Sequence, residues 1–210
     1  MIKSVNVSQE GIIKDIMRLE NIGRFDLDPT YSLGNFYKGI PEPRIKYDID
    51  PKYPDVGEYD VRILPLPDES IHSIMFDPPF LGGGGKNGII KKRFGGFDSI
   101  PLLWKFYEEA IRELCRVLKG QGVLVVKCQD CVDSRQQHLS HYEIITHALL
   151  NGLYPKDLYI LVADQRITRK GQKNQQHARK HHSYFIVFKK SNRTLPYKIL
   201  KYREVLKDVS

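Results

Sequence analysis

Three cysteines among 210 residues are too few for a disulfide framework, so an apolar core must hold the fold. No apolar run approaches the ~18 residues a membrane-spanning helix requires. The N-terminal Met-Ile-Lys-Ser-Val-Asn-Val has neither the apolar core nor the small-residue cleavage site of a secretory leader. These absences point to a protein of a reducing, intracellular (cytoplasmic) setting, with no membrane partner. Acids are missing altogether between Gln165 and Ser183. That interval instead holds Arg166, Arg169, Lys170, Lys173, Arg179 and Lys180 with His177, His181 and His182.

With a net charge of +8 and a pI near 9.3, the chain attracts polyanions, and the clustering makes nucleic acid the expected partner. A second basic patch, Lys86, Lys91, Lys92 and Arg93, follows the glycine run Gly82 to Gly85. Hydrophobic residues make up 41% and charged residues 28% of the chain, ordinary for a globular domain. No repeat, linker or low-complexity tract divides it. We expect one domain over 1–210: a leading helix in 1–23, a core over 24–190 and a tail over 191–210.

Periodicity supplies the elements. Ser8 can cap a helix with Ile12, Ile13, Ile16 and Met17 at helical spacing. Short strands are expected at Arg24 to Leu27, Ile45 to Ile49, Val61 to Leu64 and Ser73 to Phe76, several of them stopped by proline. Ser99 and Pro101 begin a helix whose stripe is Leu103, Phe106, Ala110, Leu114, Val117 and Leu118, ending at Gly120. A buried strand over 122–127 follows. The next helix carries Ile144, Ile145, Ala148 and Leu149 and stops at Asn151-Gly152. Leu158 to Ala163 and Tyr184 to Lys189 read as strands with no helical pattern between them, hence an antiparallel hairpin at a sheet edge. Strands alternating with helices otherwise imply a mostly parallel α/β sheet covered on both faces.

Within this frame Phe76-Asp77-Pro78-Pro79-Phe80 stands out. Prolines cannot continue the ladder, so Asp77 is presented at a strand's carboxyl end, where open α/β sheets bind ligands. Gln129 and Asp130 follow the next strand and belong to the same edge, as base contacts or as ordinary loop residues. Phe94-Gly95-Gly96-Phe97 could stack on bases or form an apolar lid. Cys128, Cys131, His138 and His141 have ligand types that zinc accepts, but their middle spacing is short for a finger, and no metal is expected. Trp104 is expected in helix packing.

The chain resembles class I S-adenosylmethionine-dependent methyltransferases, and among them the amino-methyltransferases of adenine N6 and cytosine N4 in nucleic acids. The resemblance covers roughly residues 24 to 190. It implies a single-domain Rossmann-like fold, a seven-stranded, mostly parallel sheet with an antiparallel last strand, and S-adenosyl-L-methionine as cofactor. Asp28-Pro-Thr30-Tyr-Ser32-Leu-Gly34 is similar to the family's cofactor loop, with Ser32 where a first glycine is usual. Asp48, with Asp50 second, is similar to the acid that accepts ribose hydroxyls; the plain alternative is a turn acid before Pro51. Asp60 and Val61 are similar to the motif that meets the cofactor adenine.

Asp77, Pro78, Pro79 and Phe80 resemble the catalytic tetrad. An exocyclic base amine is a poor nucleophile because its lone pair is delocalised. The resemblance implies that Asp77 and the Pro78 carbonyl accept its two hydrogens while Phe80 stacks on the base. Aspartate in first place favours adenine N6 over cytosine N4. Lys91, Lys92, Arg93, Arg166, Arg169, Lys170, Lys173, Arg179 and Lys180 are expected to grip the polymer. DNA is favoured and RNA remains a rival, as does a catalytically silent binding module that Ser32 would suit. No stretch is left for a separate recognition domain, so specificity is expected to be short, loop-borne or absent.

Overall fold

The computed structural model describes residues 1–80, 97–163 and 176–191. In chain order its elements are β1 (Val5–Asn6), α1 (Gln9–Leu19), β2 (Leu27–Asp28), a 3-10 turn (Asn35–Tyr37), β3 (Ile45–Asp48), β4 (Gly57–Glu58) and β5 (Ile71–Phe76). These are followed by α2 (Ile100–Val117), β6 (Leu118–Cys128), β7 (Cys131–Asp133), β8 (Gln136–His138), α3 (Ser140–Leu150), β9 (Leu153–Val162) and β10 (His182–Lys190). The main sheet has eight strands in the order β1-β9-β10-β6-β5-β2-β3-β4, and β7 and β8 form a separate hairpin. Strands β2 to β6 run parallel to one another, while β10 is antiparallel to both β6 and β9. This is the class I methyltransferase arrangement expected from the sequence.

Alternation along three central strands builds two cores. Ile74 and Phe76, Leu124 and Val126, and Ile186 and Phe188 point to one side, where they meet Leu103, Tyr107, Ala110, Ile111 and Leu114 of α2 and Ile144 and Ala148 of α3. Met75, Val123 and Val125, and Phe185 and Val187 point to the other, against Ile12, Ile13, Ile16 and Met17 of α1. Because both faces are covered, these strands read as continuous apolar runs rather than alternating ones. Each fully buried Leu, Ile or Phe contributes ~1.5–3 kcal/mol.

The helices follow their caps. Ser8 Oγ accepts the Gly11 amide at 3.0 Å at the start of α1, and Pro101 sits in the first turn of α2, where its missing N–H costs nothing. Glu20, just past α1, is buried and bound by Lys156 at 2.5 Å and Lys189 at 2.8 Å, tying the helix end to β9 and β10.

Four expectations change. The sheet has eight strands, not seven, because β1 pairs with β9 and Ile160 donates its amide to Ser4 at 2.7 Å. The third strand is Gly57–Glu58, and residues 61–64 form a turn closed by the Ile63 amide on Asp60 at 2.9 Å; Val61 and Leu64 are buried as core anchors rather than as strand residues. The strand expected at Arg24 to Leu27 is β2, Leu27–Asp28. Helix α2 ends at Val117, since Leu118 is already extended and begins β6.

Candidate active site

Strand parity brings the chemistry together. In β5 the residue after Phe76 falls on the Met75 side; in β6 Lys127 falls on the side of Val123 and Val125; in β2 Asp28 lies opposite to Leu27. Asp28, Asp77 and Lys127 therefore converge on the α1 face at the carboxyl ends of three adjacent parallel strands. The register sets this, with Phe76 beside Val126 and Phe185 beside Lys127. Lys127 Nζ lies 3.8 Å from Asp77 Oδ2, 4.8 Å from the Phe36 ring centroid and 5.9 Å from that of Phe185. Sequence reasoning placed no role on Lys127. A cation at the end of a buried strand was the available signal.

Asp28 is fully buried. Its Oδ2 accepts the Tyr37 hydroxyl at 2.6 Å and its Oδ1 the Thr30 amide at 2.8 Å and hydroxyl at 3.2 Å. Burial nevertheless pushes its carboxyl up to about 7, against these donors and with the nearby Asp77 charge adding to the rise. Thr30 Oγ1 also accepts the Asp77 amide at 3.0 Å, so one threonine joins the cofactor-type loop to the tetrad. Burial raises the Asp77 carboxyl as well, and Lys127 opposes that rise. Asp77 Oδ1 is buried with no hydrogen-bond partner, while 27% of the side chain stays open.

A buried acceptor without a donor is costly, and a carboxylate turns about χ2 with little penalty. The geometry thus leaves Asp77 Oδ1 an unused acceptor just beneath the open sheet edge, which a turn about χ2 would bring to the surface. Pro78 is buried and Pro79 and Phe80 are partly exposed. The Pro79 carbonyl accepts the hydroxyl of the fully buried Tyr107 at 2.8 Å, which fixes the turn to α2.

The loop after β2 supplies the backbone that the sequence put in question. Ser32 takes φ 51 and Gly34 φ 64, the left-handed conformation that glycine adopts freely and other residues rarely. Ser32 therefore reproduces the expected glycine backbone, and its amide donates to Asp48 Oδ2 at 2.8 Å. Gly34 is required sterically, because a Cβ there would stand 2.6 Å from the Tyr31 hydroxyl oxygen.

Asp48 Oδ1 accepts the Asp50 amide at 2.9 Å, leaving each oxygen a further lone pair for ligand hydroxyls. Asp50 pairs with Lys52 and projects outward. Both oxygens of Asp60 are held by Arg62, with Nη2 2.6 Å from Oδ2 and Nε 3.0 Å from Oδ1, and this pairing holds the carboxyl below its usual range. Of these acids, Asp48 is the one that keeps both oxygens off a cation in its own turn.

Other candidates turn inward. Gln129 Nε2 donates to the His182 carbonyl at 2.5 Å. Asp130 Oδ1 meets His141 Nδ1 at 2.7 Å, and burial of that carboxyl is outweighed by His141, leaving it below its ordinary value. Both residues brace the end of β6. Cys131 and His138 are cross-strand neighbours in the β7–β8 hairpin, and among the described residues no three His, Cys, Asp or Glu side chains form a metal-holding group. Phe97 packs on Phe106 at 4.9 Å, Phe94, Gly95 and Gly96 lie outside the described residues, and Trp104 packs on Tyr107. Arg179 is exposed and Lys180 partly so, and His177 Nε2 donates to the Arg135 carbonyl at 2.9 Å. Lys91, Lys92, Arg93, Arg166, Arg169, Lys170 and Lys173 lie outside the described residues.

The model of a family described as DNA methylase matches residues 71–209. The chain belongs to this DNA methylase family. The match begins at β5 and takes in Asp77 to Phe80. No curated protein matches the chain. Among solved structures, one proposed to be a sarcosine dimethylglycine methyltransferase from Galdieria sulphuraria superposes with TM-score 0.55 at 13% identity over 88% of this chain and 86% of that one. A proposed methyltransferase in complex with the Trm112 methyltransferase activator of Haloferax volcanii gives 0.52 at 12%, over 87% and 89%. Both share the fold. A proposed DNA modification methylase from Thermus thermophilus, solved with S-adenosyl-L-methionine, gives 0.44 at 18%, over 64% of this chain and 54% of that one. The chain spans about half the length of that protein. Among its described residues no helix is long and apolar enough to cross a membrane.

Proposed function

We propose that this DNA methylase transfers a methyl group from S-adenosyl-L-methionine to an exocyclic amine of a nucleic-acid base, adenine N6 in DNA before other targets. The observation that carries the reading is Asp77: a carboxylate with an unpartnered oxygen at a strand's carboxyl end, followed by the Pro78 carbonyl. The cofactor, when bound, supplies an electrophilic methyl on a sulfonium. Ser32, Gly34 and Asp48 would hold it, with Asp48 accepting ribose hydroxyls and the buried Asp28 bracing that loop through Thr30; Asp50, Asp60 and Val61 complete the expected set from the neighbouring turns.

The protein's own part is positional. Asp77 and the Pro78 carbonyl each accept one amine hydrogen, drawing the nitrogen toward tetrahedral geometry and freeing its lone pair. The nitrogen would gain the methyl as the methyl–sulfur bond breaks to leave a neutral thioether, and the proton it gives up passes to solvent at the open side of Asp77. Phe80, partly exposed in the same turn, would stack on a base that has left its duplex. Arg179 and Lys180, with the basic residues of 164–175 and 91–93, supply phosphate contacts.

Aspartate in first place favours adenine, although the family model takes in N6 and N4 enzymes alike. The test is transfer of labelled methyl to duplex DNA, single-stranded DNA and RNA in parallel, followed by nucleoside digestion. N6-methyladenine from DNA is expected. N4-methylcytosine, or product from RNA alone, would replace the finer reading; label on free nucleosides or peptides and on no polymer would overturn the whole.

A further inference from the structure

Lys127 answers a difficulty that the paired acids create. Asp28 and Asp77 share one face and one threonine, and two nearby carboxyls in a dry site favour one of them taking a proton. Asp77 can accept an amine hydrogen with full strength only as an anion. Around it stand Asp28 and Tyr37 from the β2 side, Tyr107 from α2, and Cys128 and Lys127 from β6. Lys127 is the cation among these described groups. Its side chain is only 19% exposed, and its head group is held over the Phe36 and Phe185 rings, so it is kept near Asp77 rather than released to water.

We infer that Lys127 is a positioning residue for the site: its ammonium, 3.8 Å from Oδ2 of Asp77, keeps that carboxylate charged beside Asp28 and biases its orientation for the incoming amine. This rests on the methylation reading, and the contact itself is dictated by register, since Phe76 pairs with Val126 and Asp77 falls next to Lys127. A lysine serving only to fill space between two rings would act on stability alone.

The test compares full-length wild type, Lys127→Met and Lys127→Arg in two ways. Carbon-13 NMR of the side-chain carboxyls, with the Asp77 signal assigned from Asp77→Asn, follows its titration directly. The midpoint is expected to move to higher pH in Lys127→Met and to return toward wild type in Lys127→Arg, because losing an opposite charge disfavours the anion. An unmoved midpoint overturns the inference even if wild type methylates nothing.

Single-turnover transfer to DNA is the second readout. Lys127→Met is expected to be slower by roughly tenfold at pH 6 and by much less at pH 9, with cofactor affinity unchanged. A loss equal at both pH values, tracking a lower melting temperature and not restored by arginine, would reduce Lys127 to packing. Lys127→Gln is read the same way if Lys127→Met does not fold. Failure of the methylation reading looks different, as wild type itself then leaves all nucleic acids unlabelled.

Discussion

The Tyr107 hydroxyl donates to the Pro79 carbonyl at 2.8 Å, so the longest helix of the described residues is bonded directly to the turn that carries Asp77. Tyr107→Phe removes the donor and leaves a carbonyl with one partner fewer. An unmade bond to a buried group costs ~1–3 kcal/mol. Melting temperature is expected to fall accordingly. Methyl transfer should fall several-fold while cofactor affinity holds; an unchanged transfer rate would mean the turn needs no such tie.

Asp77→Ala is expected to abolish transfer to any polymer and to leave binding of S-adenosylmethionine, measured calorimetrically, largely intact. Equal loss of both would show that the substitution broke the fold or that the acid serves the cofactor.

Asp28 makes stability depend on pH in a defined direction. Its folded carboxyl is raised to about 7 from an ordinary 3.8, so the protonated form is the one folding prefers. The stability it contributes is fully present below about pH 4 and is lost as pH rises through 7, at ~1.4 kcal/mol per unit of displacement. Asp28→Asn, which cannot ionise, should flatten urea-derived stability between pH 5 and pH 8.5 relative to wild type. A slope equal to wild type would remove Asp28 as its source.

Ser32 holds a left-handed backbone, φ 51, that costs a non-glycine residue ~1–2 kcal/mol. Ser32→Gly keeps the amide that donates to Asp48 and relieves that cost. It should raise stability by about 1 kcal/mol after the added freedom of the unfolded chain, with cofactor affinity equal or higher. Lower affinity would assign the hydroxyl a ligand contact.

Neutralising Arg169, Lys170 and Lys173 together should weaken polymer binding and flatten its dependence on salt, by about 0.9 in log–log slope for each phosphate no longer neutralised on duplex DNA. Titrations at several salt concentrations check this. An unchanged slope would take the loop out of the interface.

Much of the fold was legible because its signals are local. The stripes of α1, α2 and α3 repeat at helical spacing, the prolines after Phe76 stop a strand in any context, and the polar stretch before Tyr184 excludes a crossover helix. Two-residue strands carry no such pattern: Gly57–Glu58 has no apolar residue to betray it, whereas Val61 and Leu64 look strand-like and are buried from a turn. Asp60 was legible as an acid near the edge, but its capture by Arg62 depends on a turn that propensity does not specify. Lys127 was invisible for a different reason. Its role depends on which strand lies beside β5 and in what register, and neither is written in the five residues around Asp77.

Strand β10 is the last in sequence among the described elements and sits between β6 and β9. Its partners are synthesised first and must wait with unpaired edges until residues 182–190 arrive. Long-range closure of this kind is slow and leaves strand edges open to other chains. A nascent chain of this protein therefore has two exposed edges until β10 is inserted, and a ribosome-stalled fragment ending before His182 should aggregate or recruit a chaperone where the full chain does not.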